Sequence, residues 1–259
     1  YHNAVEQENL ARTIVEVLYP NDNHMAGKEL RLKQQYFFVS ASLQAAIAKY
    51  KKTHDDITKL HEKVVFQMND THPTVAVAEL MRVLMDDHDL SWDEAWEITT
   101  KVFAYTNHTV MSEALEKWSL DLFKSVLPRI AMIVDEINRR LMEYLNMVYP
   151  NDPAKHHYMA VISDNTVYMA NLCLATCFAI NGVSGLHTHI LTSDIFADYY
   201  RLNPQRFIAI TNGITFRRWI CNCNPELAAL ITKKIGKGWE KDYKKLEQLK
   251  KYADDEEFQ

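Results

Sequence analysis

Three short polar stretches contain the side chains best suited to bind or transform a ligand. The first, residues 21–23, reads Asn-Asp-Asn and crowds two amides and a carboxylate into one turn. Such groups can form paired hydrogen bonds to the vicinal hydroxyls of a polyol. The same residue types also form Asx-turns and cap helices, so the sequence leaves a purely structural role for this turn open.

The second stretch, residues 69–73, reads Asn-Asp-Thr-His-Pro and follows an apolar run at residues 64–68 that predicts a buried strand. Asp70 and His72 would then lie at the carboxyl end of that strand, where α/β proteins bind ligands. Pro73 favours the first turn of a following helix. Alternatively, the Asp-Thr pair of this stretch only caps that helix.

The third stretch, residues 107–109, reads Asn-His-Thr and belongs to a short polar segment, residues 104–110, that is predicted to connect two helices. A His beside an amide is a candidate for chemistry, although a lone His also serves structural roles. Ser112 is predicted to cap the next helix, with Glu113 and Glu116 in its first turn, where the helix dipole favours acidic residues.

Helical periodicity dominates the rest of the chain and predicts the elements that must position these stretches. Ser91 and Glu94 are predicted to form a capping box, and Pro128 predicts the start of a long helix. The predicted strands are residues 64–68, 159–162 and 207–210. Apolar residues at helical spacing predict helices over residues 10–18, 36–50, 77–84, 130–148 and 169–176. This alternation of strands and helices favours an α/β fold with thick helical layers.

The composition is typical of a globular protein and argues against several other classes. The 259 residues are 47% hydrophobic and 24% charged, with a net charge of −5. No apolar run approaches the roughly 18 residues of a membrane span. The acidic balance argues against nucleic-acid binding, and the Lys-rich tail from Lys233 is predicted to be a solvated helix. No Gly-rich phosphate loop, G-x-S-x-G or H-E-x-x-H motif occurs.

The cysteines do not suggest a disulfide framework or a zinc knuckle. Their spacings, C-x3-C and C-x-C, differ from the paired C-x2-C pattern of zinc sites. We expect reduced thiols and no metal site. A zinc site formed by Cys173 and Cys177 together with His187 and His189 is the alternative that the sequence leaves open.

Taken together, these motifs resemble the α-1,4-glucan phosphorylase family, whose members act on glycogen, starch or maltodextrin. The order and spacing of these motifs match those of the family, and the resemblance extends over essentially the whole chain. The stretches that resemble the family most are residues 18–23, 27–37, 67–73, 79–82, 92–97, 105–110, 113–118, 181–183 and 211–219. The connection at residues 51–63 is shorter than in animal members, which indicates a bacterial type. The resemblance also implies that the chain is an internal segment of a longer enzyme.

The resemblance implies a helix-rich α/β segment of a glycosyltransferase fold with two Rossmann-like domains, the GT-B type. Residues 1–210 would be the later part of the N-terminal catalytic domain, and residues 211–259 the incomplete start of the C-terminal domain. The first helix, residues 4–18, resembles the helix that packs against its partner in the family's cytoplasmic homodimer.

The implied activity is phosphorolysis, in which glucose moves from the non-reducing end of an α-1,4-glucan to inorganic phosphate and gives glucose 1-phosphate. The family uses pyridoxal 5′-phosphate, held by a Schiff-base lysine that is expected outside this chain. We therefore expect this segment by itself to be inactive and not to bind the cofactor. The alternative is a sugar-binding or dimer-forming module without catalysis.

The resemblance also implies roles for individual residues. Asn23 and Asp22 resemble the loop amide and carboxylate at the glucose. His108 resembles the imidazole that binds the glucose 6-hydroxyl, and Asn212 the amide that holds the same hydroxyl from the other side. Trp219 matches a residue near the cofactor. The remaining matches are to substrate-binding positions, at Asp70, His72, Asn107, Glu113, Ala114, Glu116 and Val183.

Overall fold

The computed structural model describes residues 2–256 and 258, and it consists of two compact units, Tyr1–Thr211 and Asn212–Gln259. The outer ends of the two predicted domains, residues 1 and 259, lie outside the described residues. The assignment of these units to two domains of a larger enzyme stays a prediction. In the described part of the chain, no helix combines the length and the apolar character needed to cross a membrane.

A four-stranded parallel sheet forms the centre of the first unit, in the spatial order β1-β2-β6-β7. Its strands are β1 (Phe66–Asn69), β2 (Phe103–Thr106), β6 (Ala179–Gly182) and β7 (Phe207–Ala209). A smaller antiparallel sheet, ordered β3-β5-β4, contains β3 (Lys117–Ser119), β4 (Ile162–Ser163) and β5 (Thr166–Tyr168). The prediction of a helix-rich α/β fold is confirmed at this level.

Helices surround the parallel sheet and contribute most of the hydrophobic core. In the first unit they are α1 (His2–Glu16), α2 (Met25–Lys51), α3 (Ala76–Arg82), α4 (Trp92–Val102), α5 (Leu120–Val126), α6 (Pro128–Val148), α7 (Pro153–Met159), α8 (Met169–Thr176), α9 (Gly185–Ile190) and α10 (Ala197–Leu202). Short 3-10 helices occupy Ile57–Glu62, Ser112–Ala114 and Pro204–Arg206, and single π-helical turns Val83–Asp87 and Leu191–Ile195. The predicted capping box at Ser91 and the helix start at Pro128 are both confirmed.

Helix α3 is the most enclosed helix of the first unit, since it packs against α2, α4, α6 and α8. Its residues Ala76 to Met81 are all buried, including the carboxylate of Glu79. Glu79 accepts hydrogen bonds from the Tyr36 hydroxyl at 2.8 Å and the Ser40 hydroxyl at 2.7 Å, both on α2. The Arg82 guanidinium donates to both Glu79 oxygens, at 2.9 and 3.0 Å. These bonds compensate the buried charge and fix α2 against α3. Burial and the bond to Glu79 raise the pKa of Tyr36.

Three local predictions around the polar stretches differ from the structure, for reasons of tertiary structure. The strand predicted at residues 64–68 is present as β1, but it begins at Phe66 and is not buried as a whole, because β1 is an edge strand and among Phe66–Asn69 only Met68 is fully buried. The turn at Pro73 precedes the helix, which begins at Ala76 without a side-chain cap, so the Asp-Thr pair does not cap it. Residues 104–110 are not a helix connection, since the central strand β2 fills their first half.

Two further predictions fail near the small sheet. Ser112 caps no helix, because the chain makes only the turn Ser112–Ala114 and then enters β3, where Trp118 is buried. The strand predicted at residues 159–162 begins only at Ile162, since α7 continues to Met159. Strands β4 and β5 form a tight hairpin, and both turn residues, Asp164 and Asn165, have positive φ. That conformation is typical of a two-residue type I′ turn.

The second unit contains α11 (Pro225–Ile235), which Asn224 caps by accepting a hydrogen bond from the Leu227 amide. Trp239 is buried in this unit and donates from its indole nitrogen to the Thr232 hydroxyl at 3.1 Å. A single π-helical turn, Arg218–Asn222, precedes α11. The Lys-rich tail forms a 3-10 helix, Tyr243–Tyr252, whose residues are exposed or half-buried, in agreement with the predicted solvated helix.

Replacing Glu79 by Ala should lower the free energy of unfolding by about 2–4 kcal/mol, because Arg82 would lose its buried partner and keep only the pair with Asp87. Urea denaturation followed by circular dichroism measures this. Glu97→Ala is the matched control, since its ion pair with Lys101 is solvent-exposed and should change stability by less than about 1 kcal/mol. Equal losses in the two variants would show that the Glu79 network does not stabilise the fold.

Candidate functional site

Two of the three polar stretches, residues 69–73 and 107–109, and the segment at Val183 follow three neighbouring parallel strands, so they meet at one edge of the sheet. Asn69 ends β1, residues 107–109 follow β2, and Val183 follows β6. Parallel pairing continues one residue beyond the strands. The Asp70 amide donates to the Thr106 carbonyl at 2.9 Å, and the Asn107 amide donates to the Asn181 carbonyl, also at 2.9 Å. This is the edge at which α/β sheets place ligands.

Side chains at this edge form a hydrogen-bonded row across the strands. The Gln67 amide donates to the Thr106 hydroxyl at 2.7 Å, and that hydroxyl donates to Asn181 Oδ1 at 2.8 Å. His108 Nε2 is hydrogen-bonded to Asn69 Oδ1. Because an amide oxygen only accepts, this bond requires a proton on Nε2. The exposed imidazole of His108 is therefore oriented by the neighbouring strand, with Nδ1 as its second polar atom.

Asn107 and Val183 are connected by His187, a residue to which the sequence assigns no role at the substrate. His187 Nδ1 accepts from the Val183 amide at 3.0 Å, so Nε2 carries the proton and donates to Asn107 Oδ1 at 3.1 Å. Asn107 is fully buried and also binds the Thr109 amide and the Tyr105 hydroxyl. The sequence signal for His187 is weak: it lies three residues after Ser184, the N-cap of α9, whose hydroxyl accepts from its amide.

Asp70 adopts a backbone conformation that is uncommon for a residue with a side chain, with φ of 69°. Its Oδ1 accepts from the Thr71 amide at 2.7 Å and from the Thr71 hydroxyl at 3.3 Å. Asp tolerates this left-handed region better than most residues because its carboxylate bonds locally to the backbone. The carboxylate is thus held in one orientation at the end of β1, and such strain is often concentrated at functional sites.

The turn at residues 21–23 is both an Asx-turn and a close contact with α2. Asn21 Oδ1 accepts from the Asn23 amide at 3.0 Å, while His24 provides the cap of α2 by accepting from the Gly27 amide at 3.1 Å. A Cβ atom at Gly27 would lie 1.8 Å from the Asn21 carbonyl oxygen. Only glycine fits here, so the loop is held directly against the helix.

A cavity of about 360 Å³ brings together six of the predicted site residues. They come from the loop before α2, the turn after β1 and the segment before β3: Asp22, Asp70, His72, Glu113, Ala114 and Glu116. Nine other lining residues are not predicted, and Lys28, Arg31, Lys117 and Trp118 are among them. Asn23, Asn107, His108 and Val183 do not line this cavity and lie in the loop or at the strand ends.

The charges around the cavity nearly balance, since its four carboxylates face two lysines and Arg31. Such a lining suits an uncharged polar ligand better than a multiply charged one. Two atoms of lining residues, Glu116 Oε2 and Trp118 Nε1, are buried and have no hydrogen-bond partner among the described residues. One is an acceptor and the other a donor. A hydroxyl group, which both donates and accepts, is the kind of ligand group that would satisfy them.

The remaining predicted residues lie in the second unit. Asn212 is exposed in the segment before the π-helical turn Arg218–Asn222, and Trp219 in that turn is 64% exposed.

Three residues of the alternative zinc site are buried or hydrogen-bonded elsewhere. Cys173 on α8 and Cys177, which directly follows it, are both buried. Cys173 Sγ lies 3.2 Å from the Thr74 hydroxyl, and burial raises the pKa of the Cys177 thiol well above its usual range. His187 uses both ring nitrogens in the bonds described above. Among residues 2–256 and 258, no cluster of His, Cys, Asp or Glu is placed to hold a metal ion.

Comparison with known proteins identifies the family. The family model for carbohydrate phosphorylases matches residues 1–259. The chain belongs to the carbohydrate phosphorylase family. It is 45% identical over 260 residues to the glycogen phosphorylase of Bacillus subtilis, which covers 100% of this chain and 33% of that protein. The resemblance found in the sequence is thereby confirmed.

Other relatives are equally similar to this phosphorylase chain. The muscle form of glycogen phosphorylase from Oryctolagus cuniculus is 45% identical over 269 residues, covering 100% of the chain and 32% of the relative. The enzyme of Synechocystis is 46% identical over 257 residues, covering 98% and 30%. The chain thus spans about one third of the length of the curated relatives it matches.

Replacing His187 by Ala should lower the free energy of unfolding by about 1–2 kcal/mol, because the buried oxygen of Asn107 loses a donor and the Val183 amide loses its acceptor. Thermal and urea denaturation measure the change. His189→Ala is the matched control, since His189 is exposed on the same helix and should alter stability by less than about 0.5 kcal/mol. If the two variants are equally stable, His187 does not hold the strand ends together.

Proposed function

We propose that this chain is part of an α-1,4-glucan phosphorylase, which transfers glucose from the non-reducing end of a glucan to inorganic phosphate and forms glucose 1-phosphate. The observation that carries the proposal is the cavity in which six predicted site residues meet, in a chain 45% identical to glycogen phosphorylases. We further propose a GT-B arrangement. Residues 1–210 would supply the later part of the first Rossmann-like domain and residues 211–259 the start of the second, and the enzyme would act in the cytoplasm.

The lining of the cavity supports a sugar as the ligand on the acceptor side. Asp70, His72 and Glu116 provide fixed polar groups at its wall, and the near-balance of charge is compatible with an uncharged polyol. Glucosyl transfer breaks the bond between C1 and the oxygen of the next sugar and forms a bond from C1 to a phosphate oxygen, while the proton lost by the phosphate is gained by the oxygen of the departing glucan. The sugar ring becomes cation-like in between, so oriented carboxylates and amide or imidazole groups lower the barrier without having to reorganise.

His108 is proposed to bind the sugar that reacts. Its Nε2 bond to Asn69 fixes the ring at the end of β2, while Asn23 and Asp22 would contact the sugar from the loop before α2. Val183 would pack on the same sugar, and Asn212 is proposed to bind its 6-hydroxyl. Asn107 supports this arrangement from within, because its buried side chain connects the Thr109 amide to His187.

The family resemblance implies pyridoxal 5′-phosphate, which supplies an acidic phosphate group next to the substrate phosphate when bound. The Schiff-base lysine is expected outside this chain, and Trp219 is the one residue predicted near the cofactor. We therefore derive no step of the reaction through the cofactor. The chain alone is proposed to be inactive and to depend on the rest of the enzyme.

In the full-length protein, His108→Ala should lower kcat by about 10²–10³-fold, because a hydrogen bond to the reacting sugar is lost. Asp70→Ala should mainly raise the KM for maltoheptaose, since its contacts are to the acceptor side. Release of glucose 1-phosphate measures both constants. The half-buried His61, which bonds the Thr58 carbonyl and does not line the cavity, provides the control variant His61→Ala, which should leave both constants unchanged.

An unchanged kcat in a folded His108→Ala protein would refute the role of His108. A full-length protein that binds maltoheptaose but forms no glucose 1-phosphate in the presence of phosphate and pyridoxal 5′-phosphate would instead be a sugar-binding module, and the phosphorylase proposal would be wrong.

The partner of the first helix is proposed to be the same helix of a second copy. Leu10 and Val15 on α1 are each 60% exposed, and Val17 and Leu18 just beyond it are also exposed. The side chains of residues 4–6, within the predicted contact, lie outside the described residues.

Replacing Leu10 and Ile14 together by Glu should halve the mass seen by light scattering, because buried charges oppose the apolar contact. Arg12→Glu, which breaks only the exposed pair with Glu8, should leave the dimer intact. A monomeric mass for the unmodified protein would contradict the proposed contact.

A further inference from the structure

Arg31 on α2 contacts three of the predicted site residues, each on a different segment. Its Nη2 donates to Glu116 Oε1 at 3.1 Å and its Nε donates to the same oxygen at 3.3 Å. Nη2 also lies 3.2 Å from His72 Nδ1, and Nη1 lies 3.6 Å from Asp22 Oδ2. The side chain of Arg31 is 21% exposed and that of Glu116 only 11%. One guanidinium therefore joins the loop before α2, the turn after β1 and the segment before β3.

These contacts orient the carboxylate of Glu116. Gln35, one helical turn after Arg31, donates to the same Oε1 at 2.9 Å. All three bonds end on Oε1, whereas Oε2 is buried without a partner among the described residues. A carboxylate oxygen only accepts hydrogen bonds. Arg31 and Gln35 thus leave Glu116, a residue of the cavity lining, with one unused acceptor oxygen.

The same guanidinium fixes the tautomer of His72. Every nitrogen of an arginine side chain is a donor, so the contact at 3.2 Å requires Nδ1 of His72 to accept. The proton of the neutral imidazole then resides on Nε2. His72 accordingly offers a donor to its surroundings, while Glu116 offers an acceptor, and both residues line the cavity.

We propose that Arg31 is a positioning residue that sets the hydrogen-bonding polarity of the cavity, with Glu116 Oε2 as acceptor and His72 Nε2–H as donor for the hydroxyls of a sugar. This inference rests on the proposed function for the identity of the ligand. Lysine cannot replace arginine here, because an ammonium group has no planar fork to reach Glu116 and His72 together. The proposed role depends on the geometry of the guanidinium donors and not on the aliphatic carbons of Arg31.

The test combines kinetics with a direct measurement of the His72 tautomer. In the full-length protein, Arg31→Lys should raise the KM for maltoheptaose about tenfold, the effect of losing one charge-assisted hydrogen bond, and leave kcat within about twofold. Long-range ¹H–¹⁵N spectra of neutral His72 should show the Nε2–H form in the unmodified protein and a mixture of tautomers in the variant. Gln35→Leu should raise KM less and leave the tautomer unchanged, because it removes only a donor to Glu116.

The control is Lys33→Gln on the same helix, since Lys33 pairs with Glu29 at the surface and should affect neither measurement. If Arg31→Lys lowers only the melting temperature, with KM and the His72 spectrum unchanged, Arg31 is merely structural and the inference is wrong. If Arg31→Lys does not fold, Gln35→Leu serves as the test, since it also removes a donor to Glu116. An unchanged KM in Gln35→Leu then overturns the inference. If the unmodified protein forms no glucose 1-phosphate, the proposed function fails, and the His72 tautomer alone decides the role of Arg31.

Discussion

The parallel pairing of β1, β2 and β6 is the constraint on which the candidate site depends. Backbone hydrogen bonds continue past the strands to Asp70 and Asn107 and hold the three following segments at one edge. Peptide groups in this ladder are satisfied, so the polar side chains beyond it are free to bind one another and a ligand. Gly182 in β6 permits the close packing of α9 against this strand, since a Cβ there would lie 2.5 Å from the Thr188 hydroxyl.

The helices that cover the sheet fix the positions of the side chains at the cavity. The carboxylate of Glu79, buried within α3, is bound by Tyr36 and Ser40 of α2, so α2 has a fixed position relative to the sheet. The same helix carries Arg31 on the side that faces the cavity. A buried charge network in the core and a half-buried one at the site are thus connected through one long helix, and a change in the first is expected to reach the second.

Arginine and histidine side chains define which atoms of the site donate and which accept. Arg31 leaves Glu116 an acceptor and His72 a donor, while His187 joins the Val183 amide to the oxygen of Asn107. In each case the histidine tautomer follows from a partner that can only donate a hydrogen bond. A cavity with fixed polarity recognises hydroxyl groups without first reorganising its own bonds, which is the condition for effective electrostatic stabilisation.

The sequence alone was sufficient to predict the family, the helix-rich α/β class, the capping box at Ser91 and the helix that starts at Pro128. Each of these is encoded locally, by motif, by periodicity or by a cap within one turn. It was also sufficient to select six residues that share one cavity, because their motifs resemble those of a family.

Only the tertiary structure decided that residues 103–106 and 179–182 are strands. These strands are four residues long and are bonded to strands distant in the chain, so no local periodicity distinguishes them from loops. The roles of Arg31 and His187 were equally hidden. Arg31 lies in a stretch that reads as ordinary helix, and its partners Glu116 and His72 lie 85 and 41 residues away. The types of the polar side chains are written in the sequence, whereas their mutual hydrogen bonds exist only after the sheet and α2 have brought them together.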